Sequence, residues 1–426
     1  MMPARWVPLL YFAFAHACLA TAFAALALHP RSLGGFFYHP RMLAVVHLVT
    51  LGWISASILG AIYVIGPLAF RMPLPAGLAD YLAFSGFAVG VAGMAGHFWT
   101  DRPPGMVWGA ALVTSAMTFV AARGLKGLRR APVPLEARLP VALAFLNVIA
   151  AAALGVLAGV NKVAPFVPIA HLALVFAHAH LAAVGFGAMM VVGAGYRMLP
   201  MILPAAMPRG AAAYASAVLL EIGVVGLVWS FVTGGRGLSI AAAITVAGLG
   251  TFLSRVAWML RHRRPAPPEL RRPDWGTGHA LQAMMYLLAA CGLGLYLALA
   301  ERSETTLALA SVYGVLGLLG FLSQIVVGVE SRILPLFGWL WGFADRGHAE
   351  LPPSLHAAGV RPLQALVFLC WTVGVPLLAF GLAADHAPAL SLAGTGLLAA
   401  VVASLVNAAV VLVRLWRKSA IPSTSS

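Results

Sequence analysis

Histidine is the residue type in this chain that is best suited to chemistry, because several of its 13 histidines lie within or beside long apolar segments. Ionisable side chains are costly inside a membrane and are usually functional there. A neutral imidazole is a ligand for haem iron and for copper. These histidines are His16, His47, His97, His171, His178, His180 and His279. A haem or metal site among apolar helices is therefore the first hypothesis.

One segment, around His171 to His180, carries three of these imidazoles. His171 and His178 are seven positions apart and share one face of a helix, whereas His178 and His180 point about 200° apart. A straight helix cannot chelate one ion with the second pair, so its two imidazoles would serve sites on different sides. The alternative interpretation is hydrogen bonding between helices.

The composition places these segments in a lipid bilayer. Hydrophobic residues make up 62% of the 426 residues and charged residues 9%, whereas soluble domains have about 25% charged residues. The formal net charge of +15 comes from arginine-rich stretches between apolar segments, so we expect no nucleic-acid binding. The three cysteines lie apart within apolar segments, and neither a disulfide nor a thiolate metal site is expected.

Apolar segments long enough to cross a bilayer, about 20 residues, occur about twelve times. The predicted spans lie near 6–28, 41–68, 79–99, 106–123, 139–160, 168–200, 211–233, 237–260, 277–300, 307–336, 361–384 and 387–415. The predicted fold class is therefore all-α, a polytopic membrane protein.

The basic residues predict how the chain is oriented. Most of them lie in the loops after the fourth and eighth spans and in the tail after the twelfth, all on the side of the N-terminus. Because cytoplasmic loops are enriched in Lys and Arg, both termini are predicted to be cytoplasmic, as in a multi-pass protein of the bacterial inner membrane. The segment from His29 to Pro40 then faces outward, where a periplasmic partner would meet it.

Spans 2, 6 and 10 share one pattern, a glycine followed by an aromatic residue, a second glycine eight positions on and a closing proline. The copies are 133 and 135 residues apart. The matching residues are Gly52, Gly60, Pro67, Gly185, Gly193, Pro200, Gly320, Gly328 and Pro335. The pattern predicts three four-helix pseudo-repeats, over 1–135, 136–270 and 271–426. His47 and His180 occupy the same repeat position, which predicts a similar depth in the membrane.

Three four-helix units with a histidine near the outer end of span 2 resemble subunit I of the haem-copper oxidase and nitric oxide reductase superfamily. The HLVTLG run at His47 and the GAIYVIGP close of that span are similar to this group. The HAHLAAVGFG run at His178 is similar to the NnrS-type membrane proteins, which are associated with haem, copper and nitric oxide stress. The resemblance implies a b-type haem with His47 as an axial ligand, and a redox or gas-handling function fed by a periplasmic electron donor or quinol.

The sequence departs from that superfamily where its second metal would lie. Span 10 and the region of span 7 contain none of the histidines that the resemblance would place there. We therefore predict a haem held by His47 with His180 or His178, with His16 as a further haem-site candidate and His171 as a further metal ligand. Copper at the span 6 histidines is an additional hypothesis. The alternative function is a copper or small-solute transporter without haem.

A few other polar residues in the spans also invite interpretation. Glu221 is predicted to be either a paired buried carboxyl or part of a proton path. Glu330 and Arg332 are predicted to form an ion pair near the membrane interface. Tyr63 and Tyr196 match in the repeat pattern and are predicted to anchor their spans at the interface, where tyrosine is enriched.

Overall fold

The computed structural model describes residues 2–265, 273–344 and 358–419. In these ranges twelve helices are long and apolar enough to cross a membrane, which confirms the predicted all-α, twelve-span fold. We number them α1 to α12. Their bounds are Trp6–Leu28, Pro40–Ala69, Leu78–Trp99, Pro103–Arg129, Leu135–Val163, His171–Met201, Ala211–Val232, Leu238–Arg261, Trp275–Leu299, Glu304–Gly342, Arg361–Ala383 and Ala387–Trp416.

The helices are apolar on the side that faces the protein and on the side that faces outward. On α3, Phe87 and Val91 are fully buried, while Leu82 and Val89 are each 63% exposed. In a bilayer a helix satisfies its backbone groups internally, and both of its faces can then be apolar. Hydropathy therefore defines the spans well but does not mark which face of each span packs against its neighbours.

Two glycines bring α3 and α4 into backbone contact. A Cβ atom on Gly90 would lie 2.8 Å from the carbonyl oxygen of Gly109, and one on Gly109 would lie 2.7 Å from the carbonyl oxygen of Gly90. Gly223 matches Gly90 in the repeat pattern, and a Cβ there would lie 2.6 Å from the backbone nitrogen of Thr245 on α8. Small residues at such positions let membrane helices approach closely.

We expect Gly90→Val to lower the melting temperature of the purified protein, because its added carbons must force α3 and α4 apart. Overpacking of this kind costs about 1–3 kcal/mol. Gly93→Val on the same helix is the matched control, since a Cβ there meets nothing within 4 Å. Thermal unfolding in detergent, followed by tryptophan fluorescence, measures both variants. Equal melting temperatures would contradict the close approach at Gly90.

Helices α2, α6 and α10 each contain an eight-residue π-helical segment. These segments are Leu48–Ser55, Leu181–Ala188 and Leu316–Ser323. They begin directly after His47, His180 and Val315, the positions that the sequence pattern aligns, and each contacts the other two. Helices α2, α6 and α10 therefore meet at the centre of the bundle. The threefold repeat as a whole stays a prediction. Such π segments are rare and frequently lie at functional sites.

Serine hydroxyls satisfy backbone carbonyls inside two of these π segments. Ser55 Oγ donates to the carbonyl oxygen of Thr50 at 2.8 Å, and Ser323 Oγ donates to that of Leu318 at 2.8 Å. Both bonds reach five residues back, the spacing of the wider π turn. In a lipid environment this matters, because an unsatisfied carbonyl costs several kcal/mol.

A buried carboxylate ties together the end of the bundle at which α1 begins, here called the N-terminal end. Tyr63 Oη donates to Asp80 Oδ1 at 2.7 Å, and Arg123 Nη1 donates to Asp80 Oδ2 at 2.7 Å. The backbone nitrogen of Gly77 donates to Oδ2 at 2.7 Å as well. Asp80 has no exposed surface, so its charge is compensated entirely by these partners.

The prediction that Tyr63 and Tyr196 anchor their spans at the membrane interface is wrong. Both side chains are fully buried. Tyr63 bonds to Asp80, and Tyr196 Oη shares a hydrogen bond of 2.8 Å with Ser216 Oγ on α7. The phenol of each residue therefore faces a neighbouring helix, and its hydroxyl finds a protein partner there instead of a lipid headgroup.

Candidate functional site

His47 lies on α2 directly before its π segment. Its Nδ1 donates to the carbonyl oxygen of Leu43 at 2.7 Å. Its ring stacks on Phe98 of α3, with 4.9 Å between centroids. The bond at Nδ1 selects the tautomer in which Nε2 carries the lone pair. In the part of the chain that the structure describes, that Nε2 has no hydrogen-bond partner, so it is available to an iron or another metal.

His178 on α6 is held in the same manner from another helix. Its Nδ1 donates to the carbonyl oxygen of Ala151 on α5 at 2.9 Å. The His178 ring packs against Gly155, because a Cβ atom added to Gly155 would lie only 2.8 Å from Cε1 of His178. His178 lies shortly before the π segment of α6, which contacts the π segment of α2 that begins directly after His47. The two imidazoles are therefore carried by neighbouring stretches of α2 and α6.

His180 faces a different part of the bundle. Its Nδ1 donates to the carbonyl oxygen of Phe176 at 2.8 Å. Its ring lies 5.0 Å from that of Phe231 on α7 and 6.0 Å from that of Tyr313 on α10, measured between centroids. His178 and His180 thus point into different gaps between helices, as their spacing predicts. The repeat counterpart of His47 is turned away from it.

These three imidazoles share an arrangement that is typical of metal ligands. In each, Nδ1 donates to a backbone carbonyl, which orients the ring and leaves Nε2 as the coordinating atom. All three residues are partly buried and keep some accessible surface. The sequence indicated these histidines, but it could not show their Nδ1 hydrogen bonds, because the acceptors are backbone carbonyl oxygens, which every residue type has.

His171 lies at the end of the bundle opposite the N-terminal end, where α6 begins. Tyr38, in the loop before α2, forms a hydrogen bond with His171 Nε2, and Lys162 lies 5.2 Å from the centroid of the Tyr38 ring. Burial raises the pKa of Tyr38, so its phenol stays protonated and the two side chains share one hydrogen bond. His171 therefore fastens the loop to α6, and it is not brought together with His178 in a ligand group.

His16 is placed apart from the other predicted ligands. Its Nδ1 donates to the carbonyl oxygen of Phe12 at 2.9 Å, and its Nε2 lies 3.6 Å from Glu330 Oε2.

Arg332, which was predicted to pair with Glu330, forms an ion pair with Asp274. The predicted pairing of Glu330 with Arg332 is therefore wrong. Residues two apart on a helix do not face each other, and each of these two finds its partner on a different helix or loop.

Glu221 has a neutral partner. The side-chain amide of Asn147 on α5 donates to Glu221 Oε2 at 2.8 Å and to the carbonyl oxygen of Gly185 at 2.9 Å. Gly185 lies in the π segment of α6, so this amide connects the carboxyl group of α7 to the centre of the bundle. Of the two interpretations of Glu221, the structure agrees with a paired carboxyl, although its partner is an amide.

Within 2–265, 273–344 and 358–419, no group of three or more His, Cys, Asp or Glu side chains is placed to hold a metal ion. Such a group is the kind of site at which imidazole, thiolate and carboxylate ligands would hold copper without a porphyrin. Haem iron differs, because the porphyrin supplies the equatorial nitrogens and the protein supplies only axial ligands. Two imidazoles with available Nε2 atoms therefore fit haem better than they fit copper.

Comparison with known proteins adds no family to this description. No model of a known protein family matches the chain, and no curated protein matches it either. The resemblance to the haem-copper oxidase and nitric oxide reductase superfamily consequently rests on the motifs of α2 and α6. The function has to be argued from the positions of His47, His178 and His180.

Proposed function

We propose that this protein is a haem-binding integral membrane protein that handles electrons or a diatomic gas, with His47 and His178 as axial ligands of a b-type haem. The observation that carries the proposal is a pair of imidazoles on α2 and α6, two helices whose π segments are in contact. Each has its Nδ1 tied to a backbone carbonyl and its Nε2 available. Optical spectra of the purified protein and its histidine variants test this directly.

The surrounding residues would prepare this pair for iron. A haem held by two imidazoles would supply a one-electron centre, and it would bind a diatomic gas only if one of the two imidazoles left the iron. The carbonyl groups of Leu43 and Ala151 hold the imidazoles in one orientation and increase the basicity of Nε2. The ring of Phe98 covers one face of His47 and keeps water from it. His180, on the other side of α6, has the same donor geometry and faces Tyr313.

We place the protein in the bacterial inner membrane with both termini cytoplasmic, and the histidine pair in the outer half. The basic loops support this orientation. Arg5 lies 5.5 Å from the ring centroid of Trp341 and 5.8 Å from that of Trp416. The starts of α1 and the ends of α10 and α12 therefore share one end of the bundle. A periplasmic donor or a quinol would deliver electrons from the opposite end.

Transport of copper or a small solute is the less favoured function. The centre of the bundle, between α2, α6 and α10, holds a cavity of about 110 Å³. Its lining is nearly all apolar, with Ile62, Val191 and Ile325 among its walls. A hydrated ion would lose its water shell there without gaining ligands, which is costly. A central path for polar solutes is therefore not supported.

We expect no sustained oxygen reduction by the haem-loaded protein. Four-electron reduction needs a second metal beside an open haem position, and neither α7 nor α10 contains a histidine. An oxygen electrode with a chemical reductant measures the rate, and free haem in the same detergent is the control. Uptake at oxidase-like rates would overturn this expectation and would direct attention to His180 as part of a second centre.

A further inference from the structure

A cavity of about 70 Å³, with several polar side chains in its lining, lies between α1, α2, α9, α10, α11 and α12, in a different region from the pair on α2 and α6. A single water needs about 10–15 Å³ of such volume, so the cavity has room for several. Trp275 and Gln364 line it at the very beginnings of α9 and α11, and His16 and Glu330 line it nearer mid-membrane. The cavity therefore extends from the N-terminal end of the bundle toward its centre.

His16 and Glu330 form a buried pair at the deep end of this cavity. Their side chains are 6% and 7% exposed, and His16 Nε2 lies 3.6 Å from Glu330 Oε2. The bond from His16 Nδ1 to the carbonyl oxygen of Phe12 turns Nε2 toward the carboxyl group. Glu330 also borders the apolar central cavity. The carboxyl group thus borders two cavities, of which the first has more polar side chains in its lining.

Several buried polar atoms around this pair have no hydrogen-bond partner in the described ranges. They are Glu330 Oε1, Trp53 Nε1 and Trp275 Nε1, and all three residues line the cavity. Buried polar groups are nearly always satisfied by protein or by ordered water. Unsatisfied groups concentrated beside one cavity indicate a polar occupant, and water is the occupant that can meet both donors and acceptors.

We propose that His16 and Glu330 form a proton-binding site that exchanges protons through the water of this cavity with the N-terminal end of the bundle. A proton that arrives from water converts the carboxylate to the acid, or it rests on the imidazole beside the carboxylate, and it leaves by the same route. No electron donor or other reactant is needed. An unprotonated pair would leave a lone buried negative charge, which is strongly unfavourable.

The other charged and titratable groups near the pair have partners of their own. His279 Nδ1 bonds to Gln324 Oε1 at 2.7 Å. Arg332 forms an ion pair with Asp274 at the start of α9. The groups that α2, α11 and α12 contribute are neutral, namely Trp53, Gln364, Ser404 and Asn407. Among the described residues, His16 is the basic side chain in salt-bridge range of Glu330, so these two share the proton.

Infrared spectroscopy of the full-length protein in lipid nanodiscs tests this proposal. We expect a carboxylic acid C=O band that changes intensity with pH and shifts within minutes of transfer to D₂O. Glu330→Gln should abolish this band, and Glu221→Gln, at the carboxyl group paired with Asn147, should retain it. His16→Gln should shift the band, because the partner of the acid changes. A band that is the same with and without Glu330, or indifferent to His16, would overturn the proposal.

Two further measurements address the cavity and do not require the loss of Glu330. Ser404→Leu, which fills part of the lining, should slow the deuterium shift several-fold while keeping the band. An unchanged rate would contradict access through this cavity.

Dicyclohexylcarbodiimide adds to protonated carboxyl groups in apolar surroundings. In the unmodified protein it should label Glu330 with a yield that falls as pH rises, and no label at any pH would overturn the proposal.

Discussion

Haem absorbance should be lost from the purified protein when either His47 or His178 is replaced by alanine, and it should remain when His180 is replaced. Each of the first two changes removes one axial nitrogen from the iron. Loss of an outer hydrogen-bond partner of a metal ligand already costs about 10–100-fold in affinity, so loss of the ligand itself should cost more. The reduced-minus-oxidised spectrum and the haem content per protein measure the effect.

His180→Ala is a matched control, because this residue lies on the same helix and has the same bond from Nδ1 to a backbone carbonyl. Size-exclusion profiles and circular dichroism show whether each variant is folded. If all three variants keep full haem, the assignment is wrong. If His180→Ala loses haem and His178→Ala keeps it, the partner of His47 is its repeat counterpart.

Asp80→Ala should give the largest loss of stability among single substitutions at the N-terminal end of the bundle. The change leaves the guanidinium of Arg123 and the hydroxyl of Tyr63 without the acceptor that now binds both. Removing one partner of a buried ion pair costs about 3–5 kcal/mol. We expect the lower part of that range, because 27% of the Arg123 side chain is exposed and solvent screens part of its charge.

Thermal unfolding in detergent measures this loss as a lower melting temperature. Arg129→Ala is the control on the same helix as Arg123, since Arg129 is exposed and its removal should leave the melting temperature nearly unchanged. Tyr63→Phe should show a smaller loss than Asp80→Ala, because it removes one hydrogen bond and no charge. Equal melting temperatures for Asp80→Ala and Arg129→Ala would show that the network does not stabilise the bundle.

The number and position of the spans could be predicted because bilayer thickness imposes them. Transfer of an apolar segment into lipid depends on composition and length, and both are local properties of the chain. The predicted first span, 6–28, has the bounds of α1, Trp6–Leu28. The seventh differs from α7, Ala211–Val232, by one residue at its end. The π segments were not predicted, although they lie where the repeat pattern aligns.

The candidate site could be predicted only as a set of residues. An imidazole within an apolar segment is conspicuous, so His47, His178 and His180 were identifiable. The choice between the last two was not, because repeat equivalence favoured His180, while in the structure His180 faces Phe231 and Tyr313 and His178 faces α5. The hydrogen bond that orients His178 is accepted by the backbone carbonyl oxygen of Ala151, and the side chain of Ala151 takes no part in it.

The sequence by itself determined that this is an all-helical membrane protein of twelve spans, because hydropathy and segment length are properties of each helix separately. The tertiary structure alone decided which side chains meet. In the tertiary structure Glu330 pairs with His16 instead of Arg332, and Tyr63 is buried and hydrogen-bonded to Asp80. The reason is that these helices are apolar on all sides. Their facing surfaces are chosen by close packing at small residues such as Gly90, and that choice depends on two helices at once.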